Sequence, residues 1–223
     1  MRGTMASRPK HAEPRPLPRL YLMTPRVADA APLREPLAQA LVAGDVAAVL
    51  LRFAETDERT QTNAAKALVA LTQGKDVALL LDGKPELAAR AGCDGAHLTG
   101  LEAFNDALDT LKPERIAGAG GLVTRHDAMT AAEAGADYVM FGEPDEHGEH
   151  LDFATVEERI GWWAELFEAP CVAYAGALSE IAPLVKAGAD FIALGDWVWS
   201  DPDKIASTVA DAAQRLRLPE PTT

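Results

Sequence analysis

The sequence predicts an α/β protein of one domain, a single (β/α)₈ TIM barrel with parallel strands. Three observations carry this. Eight short apolar runs alternate strictly with eight longer amphipathic stretches along the 223 residues. The short runs are continuously apolar, as in strands covered on both faces of a parallel sheet. The alternation itself specifies βαβ units, and eight of them in about 200 residues close into a barrel. An open doubly wound sheet more often carries a glycine-rich loop after its first strand. Here the first run leads into Thr24-Pro-Arg, with no glycine.

Taken in order, Arg19 to Thr24 is the first strand. Leu33 to Ala43 repeats apolar residues at helical spacing and stops at Gly44. Val46 to Arg52 is strand 2; Asp57 to Gln73 is helix 2, with Asp57 as N-cap and Gly74 beyond its end. Asp76 to Asp82, Pro85 to Ala91, Gly95 to Leu98 and Leu101 to Leu111 supply strand 3, a short helix, strand 4 and helix 4. Arg115 to Gly118 and Arg125 to Ala134 form the fifth unit, Asp137 to Phe141 and Phe153 to Phe167 the sixth. Pro170 to Tyr174, Leu178 to Ala187, Asp190 to Leu194 and Asp201 to Leu218 complete the series. A short motif recurs before three strands: Ala91-Gly-Cys-Asp-Gly95, Ala134-Gly-Ala-Asp-Tyr138 and Ala187-Gly-Ala-Asp-Phe191. Its glycine ends a helix at positive φ, and its Asp accepts backbone amide bonds in the tight turn, so the motif is structural.

Residues 1–18, rich in Pro, Arg and Ala, read as a disordered leader, residues 19–218 as the barrel and residues 219–223 as a flexible tail. The leader lacks the apolar stretch of a secretory signal, and no run is long enough to span a bilayer. Cys93 and Cys171 sit in apolar segments and read as buried, reduced thiols, which fits a cytoplasmic protein. Neither C-x-x-C nor H-E-x-x-H occurs. The net charge of −13 and the lack of a basic stripe exclude a nucleic-acid binder. An anionic substrate must therefore be attracted locally, by amides or a few cations.

In such barrels the working face is the ring of loops at the strand C-termini. That places Arg52, Asp82, Lys84, His97, Glu102, Gly118, Gly120, Glu143, Tyr174, Ala175, Gly176 and Gly195 near the site. Each also has a plain structural use: His97 as a core histidine, the glycines as turn formers, Glu143 as a solvated loop carboxylate. The loops after strands 7 and 8 commonly hold phosphate through backbone amides. Ala175-Gly-Ala177 suits that use, whereas Asp196 beside Gly195 repels an anion unless it points away.

These residues resemble the thiamine-phosphate synthase barrels and their TenI-type relatives, over about residues 20 to 200. Val49-Leu-Leu-Arg52 is similar to the family's V-Q-L-R strand. Glu86 to Leu98 is similar to its D-L-A-x-x-x-G-A-D-G-V-H-L stretch, Gly135 to Val139 with Gly142 to G-A-D-Y-V-x-x-G-P, and Ala173 to Ala177 to A-I-G-G-I. The resemblance implies a transferase that joins a pyrimidine-methyl diphosphate to a thiazole phosphate and releases pyrophosphate. It implies Mg²⁺ at Asp82 and Glu102, catalytic roles for Arg52, Lys84 and His97, and phosphate or substrate contacts from Gly118, Gly120, Tyr174, Ala175, Gly176 and Gly195. The partner implied is a small phosphorylated heterocycle, with neither nucleic acid nor membrane.

There are departures. The family's Gln is Leu50, its following Lys is Ala54, its strand-5 Ser is Gly120, and the His of that loop aligns with Leu122. Its Mg²⁺ aspartate aligns with Gly83, one residue from Asp82. In place of the T-x-T-K clamp stands Glu143-Pro-Asp-Glu-His-Gly-Glu-His150, with four carboxylates. Of these, Asp145, Glu146, His147, Glu149 and His150 read as a solvated loop, or else as metal ligands. The alternative function is a family relative without synthase activity, either a TenI-like thiazole tautomerase or a pseudoenzyme that binds a phosphorylated ligand. Trp162 and Trp163 are adjacent, so both cannot face the core of helix 6; an apolar patch there is a possible homodimer surface.

Overall fold

A computed structural model describes residues 16–217 apart from residue 146. Most of the expected leader, the tail and Leu218 lie outside the described residues. Eight parallel strands pair in chain order, and the last returns to the first to close the barrel. They are β1 (Arg19–Val27), β2 (Val46–Phe53), β3 (Ala78–Asp82), β4 (Gly95–Thr99), β5 (Ile116–Gly120), β6 (Tyr138–Phe141), β7 (Cys171–Ala175) and β8 (Phe191–Leu194). Between and after them run α1 (Arg34–Ala43), α2 (Glu58–Gln73), α3 (Pro85–Ala91), α4 (Leu101–Leu111), α5 (Arg125–Glu133), α6 (Phe153–Leu166), α7 (Leu178–Ala187) and α8 (Ile205–Arg215). No described helix is long and apolar enough to cross a membrane.

Every expected strand and helix is present, and the boundaries that move do so for local reasons. β5 runs two residues further than its apolar side chains signal, because Gly118 and Gly120 keep pairing with His97 and Thr99. β1 continues past Pro25 through an irregularity in its pairing with β2 between Met23 and Arg26, where proline has no N–H to give. β3 begins later because Asp76 turns the chain at φ 55°. The last helix opens as a 3₁₀ turn at Pro202–Lys204, on which Asp201 caps the Asp203 amide. Asp57 caps α2 as expected, accepting from the Thr60 N–H at 3.0 Å.

Side chains alternate between two shells, as strand geometry requires. Leu22, Leu51, Leu81, Val139 and Ile192 face outward and pack against Leu68, Phe104, Ile160, Trp163 and Val209 beneath the helices. Tyr21, Met23, Leu50, Leu80, Tyr138, Met140, Val172 and Tyr174 fill the interior. Opposite these bulky groups stand glycines. A Cβ on Gly118 would lie 2.1 Å from the Tyr138 ring, and one on Gly195 2.5 Å from the Tyr174 hydroxyl.

The recurrent Asp pins strands together at the bottom of the barrel. Asp94 accepts from the Leu79 N–H at 2.8 Å, Asp137 from Ala117 at 2.7 Å and Asp190 from Cys171 at 2.8 Å. The amide accepted is thus on the preceding strand, so the motif couples β3 to β4, β5 to β6 and β7 to β8. Its glycines Gly92, Gly135 and Gly188 all have positive φ. On α6, Trp163 is buried and donates to the Ala169 carbonyl at 2.7 Å. Trp162 is partly exposed, with the Arg125 guanidinium 4.7 Å above its ring. Arg125 therefore stacks on the indole of the face expected there.

Candidate active site

The strand ends bring most of the expected residues to one mouth. Arg52 closes β2 and is buried; its Nε donates to the Thr24 carbonyl at 2.6 Å, and its Nη2 pairs with the Asp196 carboxylate. Asp196 lies in a 3₁₀ turn held over the barrel by two indoles. Trp197 donates to the Ala175 carbonyl at 2.9 Å and Trp199 to the Met23 carbonyl at 2.8 Å. The negative charge expected to disturb an anion beside Gly195 is thus matched by Arg52.

Beside this pair, a cavity of about 600 Å³ is flanked by Arg26, Asp82 and Lys84. Asp82 ends β3, and its carboxylate lies 3.5 Å from Arg26. Lys84 sits half-buried at the N-terminus of α3 and makes no ion pair among the described residues. Glu102 is exposed in the first turn of α4, just beyond the strand that pairs with β3. Among the described residues no three His, Cys, Asp or Glu converge as a metal cage. Mg²⁺ needs only one or two protein carboxylates when phosphate oxygens and water complete its shell. Asp82, a hard oxygen donor in a cavity with two cations, fits that use.

Other expected contacts are differently employed. Gly118 is buried, and its missing side chain makes room for Tyr138 rather than for a ligand. Ala175 is buried, with its carbonyl given to Trp197. The Gly176 N–H, expected to meet phosphate, donates to Glu180 at 2.7 Å, so a carboxylate of α7 occupies that amide. Tyr174 lines a small recess with Gly176 and Glu180. Gly195 gives space to the Tyr174 hydroxyl.

Inside the mouth, His97 is 2 % exposed. Its Nδ1 shares a hydrogen bond of 3.0 Å with the Tyr138 hydroxyl, which in turn shares one of 2.9 Å with Tyr21. Its Nε2 is buried without a hydrogen-bond partner among the described residues and faces Glu143 at 4.0 Å, too far for a hydrogen bond. Burial holds the imidazole at a pKa of about 4, against a weaker upward pull from Asp82, so the ring is neutral at pH 7.

Glu143 departs from the solvated loop carboxylate that the sequence implied. Its side chain is 8 % exposed and accepts the Gly121 N–H. Burial raises its pKa to about 7, although the Gly121 bond opposes the rise. The reason is the left-handed Gly142 (φ 90°), which turns the chain so that the next side chain points back into the barrel. Glu143 also explains Gly120. A Cβ there would lie 2.1 Å from Glu143 Oε1 and 2.5 Å from His97 Nε2. Asp145 and residues 147–150 are exposed, and Asp145 organises this part of the loop by accepting the His147 and Glu149 amides at 2.8 and 2.9 Å. Glu146 lies outside the described residues. With Leu122, Met140 and Phe141, Glu143 lines a second cavity of about 380 Å³.

The two buried groups have opposite effects on stability. Because folding raises the Glu143 pKa from 4.5 to about 7, the folded state holds a proton that the unfolded state releases across that window. Stability is thereby lost as pH rises from 4.5 to 7. His97 falls from 6.5 to about 4, so its neutral burial costs stability as pH drops through that window. Glu143→Gln removes the first cost alone. In denaturant titrations it is expected to be more stable than the parent at pH 8, by up to about 3 kcal/mol, and equal to it near pH 4.5. An equal ΔΔG at both pH values would show that Glu143 is not buried as described.

The sequence and the fold have known counterparts. The family model described as thiamine monophosphate synthase matches residues 20–197. A thiamine-phosphate synthase of Rhodospirillum centenum is 42% identical over 202 residues, covering 89% of this chain and 98% of that one. One of Hyphomonas neptunium is 39% identical, covering 89% and 93%. Among solved structures, thiamine phosphate pyrophosphorylase from Pyrococcus furiosus superposes with a TM-score of 0.73 at 22% identity, covering 89% of this chain and 95% of that one. Matching in fold and along nearly its whole barrel, the chain belongs to the thiamine monophosphate synthase family.

Proposed function

We propose that this protein joins a pyrimidine-methyl diphosphate to a thiazole phosphate, releasing pyrophosphate and forming thiamine phosphate. The carrying observation is the cavity in which Arg26 and Lys84 flank Asp82 at the barrel mouth. Such a site suits a group whose negative charge grows as its bond to carbon breaks. Arg52, fixed by Thr24, adds a third cation whose direction is set before substrate arrives. On this reading Asp196 yields Arg52 to the diphosphate, and Glu180 yields the Gly176 amide to the single phosphate of the second substrate. The apolar cavity of Leu122, Met140 and Phe141 shelters the heterocycle and excludes water, which would otherwise capture the cation left by diphosphate departure.

We assign Mg²⁺ to Asp82, with Glu102 as the second carboxylate. When bound there, the ion neutralises charge on the leaving diphosphate. No feature of the site favours the thiazole tautomerase or the pseudoenzyme, and the two relatives named above carry the synthase name and are matched over nearly their full length.

A bacterial strain lacking its own thiamine-phosphate synthase, but able to make both substrates, tests the reading. Expression of this chain is expected to restore growth without thiamine. Failure to grow, with soluble protein present, would count against it.

A further inference from the structure

Three observations concern a group that the expected site did not use as a ligand contact. Glu143 presents a nearly enclosed carboxyl to the 380 Å³ cavity. The Nε2 of His97, fully buried, has no hydrogen-bond partner among the described residues and lies 4.0 Å from the Glu143 carboxyl. The lack of a side chain at Gly120 lets Glu143 Oε1 and His97 Nε2 converge where a Cβ would stand. A buried polar atom without a partner is costly unless a ligand or water completes it.

We infer that Glu143 is the specificity-determining contact for the heterocycle, its carboxyl gripping a ring nitrogen and the exocyclic amino group beside it. This rests on the reading that a heterocycle enters this mouth. The chemistry follows from hydrogen-bond inventories. A ring nitrogen next to an amino group offers one acceptor and one donor side by side. A carboxyl carrying one proton offers the complement, an O–H donor and a carbonyl acceptor. Glu143 Oε1 is already oriented by the Gly121 amide and keeps a second lone pair for the ligand's amino group. The apolar walls of Met140, Phe141 and Leu122 cover the ring faces. Gly120, where the family carries Ser, is then the compensating half of an exchange: a hydroxyl lost from β5 and a carboxyl gained after β6.

The complex holds one proton between carboxyl and ring. The groups that face Glu143 favour this. His97 from β4 is neutral, Tyr138 from β6 and Tyr21 from β1 are held protonated by burial, and Asp82 on β3 pushes the Glu143 pKa up. Arg159 from α6 pulls the other way, and Asp145, Glu149 and His150 of the acidic loop line the same cavity. With the carboxyl poised near pH 7, ligand affinity should fall as pH rises above that value.

The test is calorimetric titration of the full chain with 4-amino-2,5-dimethylpyrimidine, and with 2,5-dimethylpyrimidine as the control without the amino group. The parent is expected to bind the amino compound about 50-fold more weakly at pH 9 than at pH 7, following the loss of one proton. Glu143→Gln supplies its own N–H donor and should hold its affinity across that range, within about threefold of the parent at pH 7. Glu143→Ala should bind at least about tenfold more weakly than the parent at pH 7, with an unchanged melting temperature or a higher one. Three results would overturn the inference: no binding by the parent at millimolar probe, equal binding of both pyrimidines, or a Gln variant as weak as the Ala variant. The probe carries no diphosphate and needs neither Mg²⁺ nor turnover. Failure here is therefore distinct from failure of the growth test.

Discussion

Arg52→Ala is expected to lower the rate of thiamine phosphate formation by about two to three orders of magnitude, the usual effect of removing a pre-oriented charge from a developing anion. The guanidinium does two things at once. Its Nε bond to the Thr24 carbonyl fixes its plane, and its outer nitrogen is the one now engaged by Asp196. A lysine offers no fork, so Arg52→Lys should lose the Thr24 bond or the outward contact, and recover little activity. Asp196 is largely exposed, so the loss of its partner strands no buried charge. The melting temperature should fall by only a few degrees. A steady-state assay beside a thermal melt separates the two effects. Near-parental kcat in Arg52→Ala would remove Arg52 from the site.

Gly95→Ala should show the largest loss of stability, roughly 3 kcal/mol or more. Its Cβ would fall 2.0 Å from the Ile116 carbonyl oxygen, a backbone atom that cannot move without breaking the β4–β5 register. Gly120→Ala meets side-chain atoms of Glu143 and His97 instead, and these can shift. Denaturant midpoints should therefore rank Gly95→Ala well below Gly120→Ala. The reverse order would mean that β4 and β5 are not packed as described.

The barrel was legible because its signals are local and repeated. Apolar runs, Asp57 at a helix start, and Ala-Gly-x-Asp before a strand each depend on near neighbours in the chain. The site was legible only in part. Arg52, Asp82 and Lys84 could be placed at the mouth because strand ends are defined by sequence. The roles of Gly118, Gly176 and Gly195 were not, since Tyr138, Glu180 and Tyr174 decide them and are distant in sequence or turned by the fold. The burial of Glu143 was not legible, because strand parity alone would turn its side chain outward and the positive φ of Gly142 reverses it. The two glycines, Gly120 on β5 and Gly142 after β6, were the available signal. An opening on one strand beside a reversal on the next is what a side chain folded back into a barrel requires.

The most direct measurement is thiamine phosphate formation by the purified chain from the pyrimidine-methyl diphosphate and the thiazole phosphate, with and without Mg²⁺. The account predicts product that appears with equimolar pyrophosphate, requires Mg²⁺, and is nearly abolished by Arg52→Ala. A folded protein that forms no product under these conditions would contradict it.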